Sequence, residues 1–77
     1  MYVKKFYDTR HAKERSEERS ISIEVMKNIV KYHESRKQQY RGEHGGFVCK
    51  FEKSVDGKRI IVVAEIKKDT CWLVSAF

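Results

Sequence analysis

The chain has 77 residues, 40% hydrophobic and 12% aromatic with no proline, which argues for one domain over residues 1–77 and against a disordered chain. A domain this short buries only about 60% of its unfolded surface, so its core must be small. Seventeen Lys and Arg against eleven Asp and Glu leave a net charge of +6, which favours polyanionic partners, RNA first.

Tyr2 to Tyr7 reads as a mixed lead-in with a short extended segment. Asp8 or Thr9 can cap a first helix that runs through Arg19. Ala12 is the lone small apolar residue of that helix, so it must pack through His11, Ala12 and the aliphatic stems of its arginines. Ser22 is a good N-cap for a second helix, with Glu24 in the first turn and Ile21 placed to staple against Met26. Ile23, Met26, Ile29, Val30 and His33 follow helical spacing and make its core face.

Glu34 to Gly46 is polar and turning, and part of Lys37 to Arg41 reads as a short strand. Phe47 to Glu52 alternates, with Phe47, Cys49 and Phe51 on one face. Asp56-Gly57 signals a hairpin. Arg59 to Ile66 is a continuous β-branched run, the pattern of a central strand covered on both faces. After a turn over Lys67 to Thr70, strict alternation in Cys71 to Phe77 places Ser75 and Phe77 on one face and Trp72, Val74 and Ala76 on the other. The expected fold is α+β, with two N-terminal helices packed on a three- to four-stranded antiparallel sheet.

Cys49 and Cys71 sit in apolar strand patterns and read as reduced core residues, with pairing between adjacent strands left open. No cofactor motif and no metal-ligand spacing is present. The longest apolar run, Ile60 to Ala64, is too short for a bilayer, and Met1 to Lys5 leads into polar sequence rather than the apolar stretch of a signal peptide. A cytoplasmic protein without a membrane partner is the expectation.

Two groups of residues carry chemistry. His11, Arg15 and Arg19 are four apart and share one helix face, joining a titratable base to two fixed cations. That set suits gripping a phosphodiester and moving a proton beside it. The plainer reading pairs the arginines with Glu14, Glu17 or Glu18 on a solvated helix. Arg36, Lys37, Arg41 and His44, with Tyr40 among them, form a second basic group suited to single-stranded RNA, where bases stack and phosphates pair. The plainer reading there is a solvated connection. Gly42 to Gly46 is not a phosphate loop, because it lacks the lysine and hydroxyl of that motif.

The run His11-Ala12-x-x-Arg15-x-x-x-Arg19-x-Ile21-Ser22-x-x-x-Met26, with the ending Ser75-Ala76-Phe77, resembles a family of short bacterial and phage proteins catalogued as a domain of unknown function. That family is similar to the barnase, EndoU, colicin and RelE group of metal-independent RNases. The resemblance implies a RelE/barnase-like fold, His11 as catalytic base or acid, Arg15 and Arg19 on phosphate, and Arg41, Ser75 and Phe77 lining the site. Family endings favour threonine and tyrosine, so Phe77 brings no phenol to the reaction.

These readings point to a small basic RNase-like protein, a metal-independent, toxin-type endoribonuclease without cofactor. RNA is its expected partner, with an antitoxin or host protein as a further one. The alternative is a non-catalytic module of the same fold that binds RNA or an acidic protein partner as inhibitor or regulator. A purely structural role is the third reading.

Overall fold

The computed structural model describes residues 2–77, so Met1 of the N-terminal run lies outside it. The elements follow the order β1 (Lys5–Asp8), α1 (Arg10–Arg19), α2 (Ile23–Lys31), β2 (Ser35–Arg41), β3 (Phe47–Val55), β4 (Lys58–Lys67) and β5 (Thr70–Ala76). They build one sheet in the order β1-β5-β4-β3-β2. The chain is α+β, but the expected three- to four-stranded antiparallel sheet of a RelE/barnase-like arrangement is corrected. The sheet has five strands and is mixed, because β1 pairs in parallel with β5. Four mostly exposed residues with no clean alternation form β1, and their partner strand begins at Thr70. A pairing that distant leaves no local pattern to read.

Both helices start where a hydroxyl can satisfy the first free N–H groups. Thr9 caps α1, its Oγ1 accepting from Ala12 N–H while donating to the Leu73 carbonyl at 2.5 Å. One side chain thus starts the helix and ties it to β5. Ser22 caps α2 through Val25 N–H. Ser20 ends α1 in the left-handed conformation at φ 55°. The Asp56-Gly57 hairpin has positive φ at both turn residues (50° and 79°), the geometry of a type I′ turn.

The helices cover one face of the sheet. Ala12 of α1 and Met26, Ile29 and Val30 of α2 join Cys49, Phe51, Val62, Ala64, Cys71, Leu73 and Ala76 in the buried core. His33 lies just beyond α2, half-buried, with its ring 5.0 Å from that of Phe51 and Nδ1 3.0 Å from the Val30 carbonyl. Cys49 and Cys71 are free and buried, on β3 and β5 with β4 between them. Two strand spacings are about 9.5 Å, beyond disulfide reach.

A register shift on β5 overturns the expected alternation of the last strand. Glu65 pairs with Trp72 and Ala64 with Leu73, but Val63 pairs with Ser75, leaving Val74 as the extra residue. A bulge of this kind swaps the faces of everything beyond it. Ala76 therefore turns into the core, while Ser75 joins Trp72 on the opposite face.

That opposite face carries no helix. The ladders run Tyr7–Trp72–Glu65–Val48–Tyr40 across it in one row and Ser75–Val63–Lys50–Lys37 in the next. Strand β4 is central, as its sequence implied, yet its second cover is only the β2–β3 connection folding over one end.

Candidate nucleic-acid interface

A hollow of about 370 Å³ sits where the β2–β3 connection bends back over the helix-free face. Its floor includes Val48, Glu65, Trp72 and Val74, and its walls include Thr9 and His11 on one side and Tyr40 to His44 on the other. The two walls come from opposite edges of the sheet. Thr9 and His11 follow β1, and the connection follows β2.

Glu65 builds one wall. It is 2% exposed, and its Oε2 accepts the main-chain N–H groups of His44 at 3.0 Å and Gly46 at 2.8 Å. Gly42 must lack a side chain because a Cβ there would overlap the Glu65 carboxylate. At Gly46 a Cβ would run into the Ile66 carbonyl. The loop is thus moulded onto β4. Its His44 ring lies on the Trp72 indole, 4.3 Å between centroids and 8° from parallel. On the same face the Tyr7 ring lies 5.7 Å from that of Trp72, 16° from parallel.

Of the residues the sequence singled out, His11, Tyr40, Arg41 and His44 meet at this hollow. Arg15 and Arg19 do not line it. Arg15 is ion-paired to Glu18 at 2.5 Å, while Arg10 pairs with Glu14 at 3.4 Å. Lys37 lies on the helix-free face opposite Lys50, in the row that Ser75 continues. Arg36 and Arg41 belong to rows that point to the helix side, where their guanidinium carbons lie 5.6 Å from the Phe51 ring and 5.0 Å from the Phe47 ring. Phe77 pairs with Ile61 through two main-chain hydrogen bonds and is half exposed.

Four functional candidates, Glu65, Trp72, Tyr7 and Lys50, come from the structure rather than the sequence. Glu65 interrupts the apolar run of β4, and a carboxylate inside a strand read as doubly covered was its available signal. Trp72 and Tyr7 form the aromatic floor, and their adjacency depends on the parallel pairing of β1. Lys50 gains meaning only from standing beside Lys37.

The arrangement offers imidazoles for proton transfer, and flat rings with lysines on an accessible sheet face. Stacking rings and phosphate-pairing cations are what single-stranded RNA requires. Among the described residues no group of three or more His, Cys, Asp or Glu could hold a metal ion, and no helix is long and apolar enough to cross a membrane.

A family model described as a domain of unknown function, DUF4258, matches residues 9–77. Neither the curated proteins nor the solved structures contain a match to the chain.

Proposed function

The chain belongs to the DUF4258 family, and we propose that it is a small RNA-binding endoribonuclease that works without a metal. One observation carries this reading. The hollow bordered by His11 and Arg41 opens beside a helix-free sheet face bearing Tyr7, Trp72, Tyr40, Lys37 and Lys50. Bases stack on the exposed Tyr7 and Tyr40 rings, phosphates pair with the lysines, and one phosphodiester reaches the hollow. His11 takes the proton of the adjacent 2′-hydroxyl, and Lys37 and Lys50 on the sheet face hold the flanking phosphates. The similarity to metal-independent RNases of the family that the His11–Met26 run resembles adds to this reading, and the two free thiols suit a reducing, cytoplasmic location.

The test is cleavage of a mixed single-stranded RNA pool in excess chelator, run beside His11→Ala. Cleavage that falls about 10²-fold or more in the variant is the expected result. Equal rates in the two proteins overturn the mechanism.

A second reading has its own support. Arg15 is held by Glu18, and the guanidinium of Arg41 rests on Phe47. A binding module without cleavage needs no cation aimed at phosphorus. Salt-sensitive RNA binding with intact RNA after incubation would favour that reading. Salt-insensitive capture of one acidic protein, an antitoxin or host factor, would favour a protein partner instead.

A further inference from the structure

We infer that His44 is the general acid of this hollow, donating a proton to the departing 5′-oxygen while His11 acts as base; the inference rests on the endoribonuclease reading above. The sequence placed His44 in a basic RNA-binding loop, far from His11 in the chain. Folding brings both to one hollow on independent elements that enter from opposite edges of the sheet. In-line displacement at phosphorus needs that layout, because the attacking and leaving oxygens lie on opposite sides of the phosphate. Imidazole is also the side chain whose ordinary titration range suits both jobs near neutral pH.

The His44 ring is positioned by three contacts. Its main-chain N–H is fixed to Glu65 Oε2 at 3.0 Å, its plane lies on Trp72, and its Nε2 stands 3.5 Å from Glu43 Oε1. The last is an ion pair whenever the ring carries its second proton, the state a general acid starts from. At 3.5 Å it is loose enough to be exchanged for a leaving oxygen. Among the described residues no carboxylate is ion-paired with His11, and its backbone is set by the Thr9 cap that ties α1 to β5.

The step balances without a co-reactant. The bond from the 2′-oxygen to phosphorus forms as the bond to the 5′-oxygen breaks. His11 gains the hydroxyl proton and His44 gives one to the leaving oxygen. The products are a 2′,3′-cyclic phosphate and a 5′-hydroxyl, and proton exchange with water resets both rings.

A change of leaving group tests this. Expulsion of the 5′-oxygen of RNA needs a proton, whereas expulsion of 4-nitrophenolate from uridine 3′-(4-nitrophenyl phosphate) does not. His44→Gln is expected to lose about 10²-fold or more on RNA and to stay within a few-fold of the unaltered protein on the nitrophenyl ester. His11→Ala should lose both activities. Added imidazole should restore part of the RNA cleavage of His44→Ala. If His44→Gln cleaves RNA at the unaltered rate, or loses both substrates equally with no rescue of His44→Ala, the assignment is overturned. Should the unaltered protein cleave neither substrate, the endoribonuclease reading itself fails, a result separable from either of those.

Discussion

Glu65 Oε2 accepts the main-chain N–H of Gly46 at 2.8 Å inside the fold, from a carboxylate that is 2% exposed. The same oxygen holds His44 N–H, so one side chain fixes the loop that carries an imidazole and part of the hollow. Glu65→Ala would strand two N–H groups in a place poorly reached by water, at about 1–3 kcal/mol for each group. Denaturant unfolding should show a loss of at least about 2 kcal/mol. Glu65→Gln, which keeps an acceptor oxygen, should lose about half of that. Equal stability of Glu65→Ala and the unaltered chain would mean that the loop is not held this way.

Gly46 and Gly57 make a paired prediction about backbone. A Cβ at Gly46 meets the Ile66 carbonyl, a main-chain atom that cannot rotate away, so Gly46→Ala should cost about 2–3 kcal/mol, the upper part of the range for overpacking. Gly57 has open space around it but φ of +79°, so Gly57→Ala should cost only about 1 kcal/mol of left-handed strain. Thermal melts of the two variants check the order. A milder effect at Gly46 would contradict the register of loop and strand.

Lys37 and Lys50 face the uncovered side of the sheet, whereas Arg36 stacks on the helix side against Phe51. Lys37→Glu and Lys50→Glu should each weaken single-stranded RNA binding and reduce the slope of log K against log salt by about 0.7. Arg36→Glu should leave that slope nearly unchanged. Fluorescence titrations at several salt concentrations measure all three. Equal losses at Arg36 and Lys37 would place the RNA elsewhere.

Burial first, and the neighbouring Cys49 second, push the Cys71 thiol up to about 12 from its ordinary 9.0. In the unfolded chain the thiol loses its proton near the ordinary value, so the native state holds a proton that the unfolded state has shed at any pH between the two. The stability due to this group is therefore whole below pH 9 and declines as pH rises toward 12, by about 1.4 kcal/mol per pH unit from this group alone. Unfolding measured between pH 8 and 11 should fall less steeply in Cys71→Ala than in the unaltered chain. Neither cysteine should react with a thiol reagent at pH 8 until denaturant is added.

The parts of this fold legible in sequence are those decided by neighbours in the chain. Thr9 and Ser22 cap helices because a hydroxyl three residues ahead of an N–H suffices, and Asp56-Gly57 turns because both residues tolerate positive φ. Met26, Ile29 and Val30 declared a buried face by spacing alone. The extended segment before α1 was legible, but its parallel place beside β5 stayed hidden because that evidence lies in the strand that begins at Thr70, and the Val74 bulge stayed hidden because alternation is assumed unless the partner strand is known. The site divided in the same way. His11 stood out by its residue type, but helical spacing linked it to Arg15 and Arg19, whereas folding joined it to His44 and Arg41 through a loop bent over Glu65.

The ends of the cleaved RNA test the central claim most directly. Single-stranded RNA incubated with the protein in chelator should yield fragments with 2′,3′-cyclic phosphate and 5′-hydroxyl termini, and His11→Ala should yield almost none. Intact RNA, 5′-phosphate termini, or the same fragments at the same rate from His11→Ala would contradict the account.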